Sequence, residues 1–229
     1  GKSIKLNNIL IGEVWFASGQ SNMEMPMRGF DYCPIDGANR EITLSGNNKL
    51  VRFSTVKMIG SETPQDYSNS DGWKVSSPEN TPGFGATAYF FATLLSQTLN
   101  VPVGIINCAW GGSTVEGWTP KEVVAGYSDV KVDEKTPEYM KPWIMFNGLL
   151  NGSHKYTIKG FIWYQGESNI GHPDYAKRLA TMVNIWRDMW KQGDLPFYQV
   201  EIAPYDYGNN IIGALLREEQ FKAQSIIKN

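Results

Sequence analysis

The amino-acid sequence predicts one α/β domain with three layers, in which helices cover both faces of a parallel sheet. Five apolar, β-branched or aromatic runs are separated by segments with helical periodicity. Several of these runs lack alternation between apolar and polar residues, which is typical of strands that are buried on both faces. A length of 229 residues suits a single domain of this class. We therefore expect residues 1–229 to form one unit around a five-stranded parallel sheet.

The predicted strands follow one another at intervals that leave room for a helix between most of them. They cover residues 14–18, 49–55, 103–109, 159–165 and 197–203. Helical patterns cover residues 85–100, 142–152, 174–193 and 214–227. Within 174–193 the apolar residues fall on one helical face, which indicates a stripe packed on the core. Because strands alternate with helices, we expect a ligand to bind beyond the carboxyl ends of the strands.

One long segment, residues 56–82, carries neither a clear strand nor a clear helix pattern. It is polar and rich in Ser, Pro and Asn. A loop of this length inside a compact domain is usually functional or partly structured. We expect an ordered surface excursion in which Trp73 points inward.

The composition narrows the class of protein. The formal net charge is -2, so there is no basic excess of the kind that nucleic-acid-binding proteins show. Two cysteines and two histidines are too few for a disulfide framework or a histidine-rich metal centre, and we expect no metal or cofactor. No apolar run approaches the ~20 residues of a membrane span. Eight Trp, eleven Tyr and ten Phe suit a well-packed enzyme or a surface that handles sugars.

The loop after the first strand, GQSN at residues 19–22, permits two interpretations. Gly19 suits a tight turn, and Ser21 or Asn22 can cap a helix by accepting hydrogen bonds from unpaired N–H groups. Alternatively, a serine at a strand-to-helix turn is exposed and lies beside the positive end of the helix, which suits a nucleophile. The loop by itself leaves both interpretations open.

Two further loops also begin where a predicted strand ends. WGGSTVEGW, residues 110–118, follows the third strand, and its two glycines could cradle a phosphate or form an ordinary turn. The lysine and the glycine spacing of a P-loop are missing, which disfavours the phosphate. QGESN, residues 165–169, follows the fourth strand, and Gln165 and Glu167 could simply fix this loop through its backbone.

Taken together, the three loops favour a catalytic role for their residues over a purely structural role. Parallel strands end at one edge of a sheet, so we expect all three loops to lie on the same rim. The N–H groups of Ser21 and of a second-loop glycine, with a side-chain amide from the third loop, would supply donors for a developing oxyanion. Each such donor contributes about 3 kcal/mol to acyl transfer.

The set GQSNM, WGGSTVEGW and WYQGESN, followed by PFYQVEIAP, resembles the sialate O-acetylesterase branch of the SGNH hydrolases. It is also similar to the acetylxylan esterases of carbohydrate esterase family 6. The resemblance extends from about residue 11 to residue 220. It implies a flavodoxin-like α/β/α fold and the metal-independent removal of acetyl groups from sugars, with an acetylated carbohydrate as substrate.

The resemblance also implies roles for individual residues. Ser21 of GQSN would be the nucleophile. Gly112, or its neighbour Gly111, would donate a backbone N–H to the oxyanion. Gln165 would complete the oxyanion hole, and Glu167 would order the site or serve as the acid partner of a histidine.

A second group of residues is expected to line the substrate pocket beside these. The group consists of Gln20, Asn22, Trp110, Asn169 and His172.

A serine nucleophile needs a general base, which is normally a histidine. The resembled family places this histidine after the fifth strand, but no histidine follows Ala203 here. His154 precedes the fourth strand and is expected on the opposite rim. His172 follows QGESN on the expected rim, although two elements too early. We therefore expect a chain that lacks its C-terminal segment, with the catalytic histidine beyond Asn229.

Two other functions compete with an esterase at this stage. A carbohydrate-binding domain of the same fold could have lost its base, and a flavodoxin-like domain could bind a nucleotide or phosphate at the glycines 111 and 112. The second has no acidic ribose-binding residue at the expected spacing. Enzymes that act on glycans are often exported, so we expect an extracellular or periplasmic parent protein, although no signal peptide is visible.

Overall fold

The computed structural model describes residues 3–208 and 211–229, which contain one mixed sheet. Its six strands are β1 (Glu13–Gly19), β2 (Val51–Thr55), β3 (Lys74–Val75), β4 (Val103–Ala109), β5 (Gly160–Tyr164) and β6 (Phe197–Val200). The order across the sheet is β3-β2-β4-β1-β5-β6. All neighbouring pairs are parallel except β2 and β3.

The expectation of five strands was wrong by one strand. The five predicted strands occur near their expected positions, but β3 adds an antiparallel strand at the edge, where Lys74 pairs with Phe53. This strand lies within residues 56–82, the long segment that was expected to be a surface excursion. Two residues are too few to show any hydrophobic period. The adjacent Trp73 is 39% exposed, so it does not point fully inward as expected.

The α-helices lie between and beside the strands. They are α1 (Ser21–Glu24), α2 (Ala38–Leu44), α3 (Ala86–Leu99), α4 (Lys121–Val124), α5 (Tyr175–Trp190) and α6 (Ile212–Ile226). Short 3-10 turns cover Ser45–Asn47, Thr81–Gly83, Val115–Trp118, Glu138–Met140 and Glu167–Asn169. The long helices α3, α5 and α6 agree with the sequence prediction, because each has enough turns to show its pattern.

The helix predicted over residues 142–152 contains a π-helical segment, Phe146–Leu150. Gly148 lies in this segment, and a Cβ there would be 2.3 Å from the carbonyl oxygen of Ile59. A side chain at this position would therefore collide with the backbone of the neighbouring loop. The wide turn and the glycine together let this segment pack directly on the chain at Ile59 and Gly60.

Two hydrophobic clusters cover the two faces of the sheet. On one face Trp15 and Ala17 of β1 pack with residues of α3. On the other, Phe16 packs with the π-helical segment, α5 and α6, and Trp186 of α5 is fully buried there. Because both faces are covered, apolar residues occupy successive positions along β1. This explains the missing alternation in the sequence.

The register of the sheet positions the three loops. Gly19, at the end of β1, is level with Ala109 of β4 on one side and with Tyr164 of β5 on the other. The loops that follow these strands therefore emerge side by side, as the sequence predicts. Among the helices of the described residues, none is both long and apolar enough to span a membrane.

Candidate active site

Ser21 is the first residue of the short helix α1, directly after the end of β1. The residue at the N-cap is Gln20, and no side chain caps this helix. The capping interpretation of Ser21 and Asn22 is therefore not what the structure shows. Ser21 is partly exposed, and within the described part of the chain neither its hydroxyl nor its backbone N–H has a hydrogen-bond partner. A hydroxyl in this position is free to react.

The turn formed by Gly111 and Gly112 passes directly against this serine. A Cβ on Gly111 would be 3.5 Å from the Cβ of Ser21. Gly112 has φ +75, a left-handed conformation that glycine adopts without steric cost. Its N–H makes no hydrogen bond to any residue that the structure describes. The turn thus presents one free backbone donor next to the serine.

The N–H of Gly111, in contrast, is already in use. It donates to Oε2 of Glu24 over 2.5 Å. Burial raises the pKa of Glu24 above its ordinary value, and the hydrogen bond from Gly111 partly opposes this shift. Glu24 was not predicted from the sequence as a residue of the site. Its position three residues after Ser21 in SNME, on the same side of a helix, was the available signal.

The first and third loops are joined by two side chains. Oε1 of Gln20 accepts the backbone N–H groups of Gly166 and Ser168, over 3.2 and 3.3 Å. The amide of Asn22 donates to Oε1 of Glu167 over 2.6 Å. Gln20 is 4% exposed and was expected to contact substrate, but the structure places it as a link between loops.

Gln165 joins the second and third loops and lies entirely inside the protein. Its Nε2 donates to the carbonyl oxygen of Ser113 over 3.1 Å and to Oδ1 of Asn169 over 2.7 Å. Its Oε1 accepts the hydroxyl of Tyr175 over 2.9 Å. Both amide hydrogens are therefore committed to the protein. This geometry favours a positioning role for Gln165 over donation to an oxyanion.

Asn169 is also fully buried, so the expectation that it lines the substrate pocket does not hold in this structure. Its Oδ1 accepts the N–H of Val115 as well as Gln165, and its Nδ2 donates to Glu116 over 3.0 Å. Both polar atoms of this side chain bond to the protein, and the buried side chain has no surface open to a substrate.

A buried arginine on α5 extends the hydrogen-bond network of Gln165 and Asn169. Arg178 of α5 has a side chain that is 5% exposed and pairs with Glu116 over 2.8 Å, Asp129 over 2.7 Å and Asp174 over 3.0 Å. The guanidinium also lies 4.4 Å from the ring of Tyr127. A chain of contacts thus runs from this helix through Glu116 and Asn169 to the second and third loops.

Glu167 has one bonded and one free carboxylate oxygen. Asn22 donates to Oε1, whereas Oε2 is buried without a partner among the described residues. Burial raises the pKa of this carboxyl above its ordinary value, and the bond from Asn22 works in the opposite direction. The sequence predicts this residue at the site, and the structure brings it next to the serine loop.

Both histidines have their contacts with residues other than Ser21. Nδ1 of His172 is 3.6 Å from Asp129, and its backbone N–H donates to the carbonyl oxygen of Asn169. The ring of His154 contacts the carbonyl oxygen of Asn151 and packs edge-on against Trp190. Within the described ranges, no hydrogen bond or ion pair joins either imidazole to Ser21.

A cavity at the opposite end of the strands from Ser21 does not have this serine in its lining. It has a volume of about 410 Å³ and is bordered by the starts of β1, β2 and β4 together with Trp73 and Tyr156. A second cavity of about 300 Å³ shares these two aromatic residues. Neither of these two cavities has Ser21 among its lining residues. Trp110 is half-buried and packs against the core. Over residues 3–208 and 211–229, no group of three or more His, Cys, Asp or Glu could hold a metal ion.

Comparisons with known proteins identify the family of this chain. The family profile described as carbohydrate esterase, sialic acid-specific acetylesterase, matches residues 11–228. The sialate O-acetylesterase of Homo sapiens is 29% identical over 211 residues, and that of Mus musculus is 24% identical over 261 residues. These alignments cover 83% and 90% of this chain.

Two solved structures have the same fold. A carbohydrate acetylesterase of Xanthomonas citri superposes with a TM-score of 0.83 and 31% identity over 94% of this chain. A protein of Arabidopsis thaliana superposes with a TM-score of 0.57 and 18% identity over 93% of this chain and 82% of its own, and it supports the fold alone. The chain spans 38% of the human enzyme, 47% of the mouse enzyme and 48% of the bacterial one.

Proposed function

Since this chain belongs to the sialic acid-specific acetylesterase family of carbohydrate esterases, we propose that it removes acetyl groups from sugars with Ser21 as nucleophile. The observation that carries the proposal is the free hydroxyl of Ser21 beside the Gly111–Gly112 turn. Attack of its oxygen on the acetyl carbon releases the sugar hydroxyl and leaves an acetyl-enzyme. Water then hydrolyses this ester, which releases acetate and restores the serine.

The oxyanion hole of this proposal consists of two backbone donors. The N–H groups of Ser21 and Gly112 are both without partners in the described chain, and Gly112 directly follows Gly111, the glycine that lies against Ser21. Gly111 is excluded from the hole because Glu24 holds its N–H. Backbone donors that are fixed before the reaction stabilise the developing oxyanion by about 3 kcal/mol each.

Gln165 and Glu167 serve the reaction by holding the loops. Gln165 bonds the carbonyl of Ser113, next to the donor turn, and thereby fixes the second loop. Glu167 fixes the first loop through Asn22. Its free Oε2 is the acceptor that we assign to the imidazole N–H of the general base.

The general base completes the proposed mechanism. His172 is held by Asp129 and by the backbone of Asn169. We therefore propose that the base is a histidine of the intact protein outside residues 1–229, and that these residues are a single domain of that protein. The sugar is of the sialic acid or xylan type, and the intact protein is exported.

The direct test is the Ser21→Ala variant of the intact protein. Hydrolysis of p-nitrophenyl acetate and of O-acetylated sialic acid or xylan should fall to the level without enzyme. The unmodified protein, quenched during turnover, should carry one acetyl group on the peptide that contains Ser21. Retained hydrolysis by the variant, or an acetyl group on another residue, would exclude Ser21 as the nucleophile.

A non-catalytic carbohydrate-binding domain is the second candidate. It is favoured by one observation, that within the described residues no hydrogen bond or ion pair joins either imidazole to Ser21. Binding of acetylated glycans without any ester turnover by the intact protein would select this candidate. A normal turnover that His172→Ala abolishes would instead place the base within this chain.

A further inference from the structure

The ring of Tyr139 lies against the glycine turn of the candidate active site. A Cβ built on Gly112 would be 2.7 Å from both Cδ2 and Cε2 of this ring. The ring carbons therefore make van der Waals contact with the backbone of Gly112, the residue with the free N–H. Tyr139 is 39% exposed, so a large part of its side chain is open to solvent at this point.

Tyr139 belongs to none of the three loops that form the site. It lies in the 3-10 turn Glu138–Met140, which closes with a bond from the N–H of Met140 to the carbonyl of Pro137. The chain just beyond it is tied to the second loop, because the N–H of Trp143 donates to the carbonyl of Glu116. The ring is thus fixed next to the turn by backbone bonds, while its hydroxyl has no partner in the described chain.

The position of this ring beside Gly112 places it near the path that a substrate takes to Ser21. The acetyl carbon has to lie at Oγ of Ser21 and its carbonyl oxygen at the free N–H groups. The sugar is joined to the acetyl group through one ester oxygen. Its ring therefore extends away from Ser21 along the edge of the sheet where the three loops lie. On the side of Gly112, the exposed surface that it meets is Tyr139. An aromatic ring with a free hydroxyl offers an apolar face to sugar C–H groups and a polar group to sugar hydroxyls.

We propose that Tyr139 is a substrate-binding residue that recognises the pyranose ring attached to the acetyl group, and that it sets the preference for sugar esters over small acetates. The proposal rests on the proposed function, since it takes the position of the acetyl group from Ser21. It adds a recognition element from a segment that carries no motif. The role is in binding rather than in the bond-making steps, because the ring touches the turn and not the hydroxyl.

The test compares two esters in the intact protein. For an O-acetylated monosaccharide, Tyr139→Ala should raise KM about tenfold, the effect of losing one good aromatic contact. For ethyl acetate, which is too small to reach the ring, kcat/KM should stay within about twofold of the unmodified protein. Tyr139→Phe should keep the low KM if the ring face carries most of the contact. Tyr156→Ala is the matched control, because Tyr156 is 46% exposed and lies at the other end of the strands.

A binding measurement separates this proposal from the proposed function. The deacetylated monosaccharide should be titrated by NMR into Ser21→Ala and into the double variant Ser21→Ala, Tyr139→Ala. Shifts confined to the first protein support the role of Tyr139, even where no ester is hydrolysed. Equal titrations of the two proteins, or an equal loss of kcat on both esters, would overturn it. The second result would show that the ring only supports the Gly112 turn.

Discussion

The carboxylate of Glu24 accepts the backbone N–H of Gly111 over 2.5 Å, three residues along the helix from Ser21. This bond decides which glycine of the pair can serve an oxyanion. With Gly111 engaged, the neighbouring Gly112 retains the only free N–H of the glycine pair within the described chain. The position of the turn thus depends on a carboxylate that lies on the same helix as the nucleophile.

Glu24→Ala should lower kcat for acetyl esters about tenfold or more with little change in KM, because the turn loses the acceptor that fixes it. Glu24→Gln keeps an oxygen acceptor for the N–H of Gly111 and should retain most of the activity. Steady-state kinetics on the intact protein measure both. If the two variants lose activity equally, the charge of Glu24 matters rather than the hydrogen bond.

Gly112→Ala should abolish turnover and destabilise the fold. Its φ of +75 disfavours any side chain, and the new Cβ would be 2.7 Å from the ring of Tyr139. Gly37→Ala is the control, since Gly37 has φ +72 and no atom within 4 Å of a new Cβ. The control should cost about 1 kcal/mol through strain alone, without affecting kcat. Urea denaturation measures the free energy of unfolding of both variants, and steady-state kinetics measure kcat. An active Gly112→Ala would contradict the prediction.

Glu167→Gln should stabilise the protein at neutral pH. The raised pKa means that the folded protein binds the proton of this carboxyl more tightly than the unfolded chain does. The unmodified protein therefore loses stability as the pH rises from below the ordinary carboxyl pKa through the raised one. Glutamine removes the buried charge and can still accept the bond from Asn22.

Removing this charge should gain about 1 kcal/mol at pH 7, or about 2–4 °C in melting temperature. At a pH well below the ordinary carboxyl pKa the gain should vanish, because the carboxyl is then protonated in both states. Thermal melts across this pH range provide the measurement. A gain of the same size at all pH values would show that the charge is not its cause.

Asn169→Ala should destabilise the protein by about 2–4 kcal/mol. The substitution removes partners from the N–H of Val115, from the amide of Gln165 and from the carboxylate of Glu116. All three groups would remain buried. Asn39→Ala, on the exposed surface of α2, is the control and should change stability by less than about 0.5 kcal/mol. Chemical denaturation of the two variants tests the difference.

The strands and long helices could be predicted because their pattern repeats within a few residues. Five strands, and helices α3, α5 and α6, show such patterns in the sequence. The strand β3 could not be predicted, since a pair formed by Lys74 and Phe53 is set by tertiary contact and not by a local period. The π-helical turn at Gly148 likewise depends on a loop that is distant in sequence.

The candidate site was predictable in outline but not in its detailed bonding. The three loops could be placed on one rim because parallel strands share their direction. The hydrogen bonds from the Gln165 amide to Ser113 and Asn169 could not be predicted. They depend on which polar atoms the fold brings together, and the sequence does not show this. The pair formed by Arg178 and Glu116 joins residues 62 positions apart and leaves no local signal.

The short strand β3 also limits the exposed backbone at one edge of the sheet. A long strand at the edge of a sheet presents a row of unpaired backbone groups, onto which a strand of another molecule can add. Here β3 covers the outer side of β2 at Arg52 and Phe53, and the bridge between Val56 and Ser70 extends this cover. Because β3 has only two residues, its own outer side is too short to template a further strand. On this side the sheet ends in a strand that offers few free backbone groups to the growth of a cross-β aggregate.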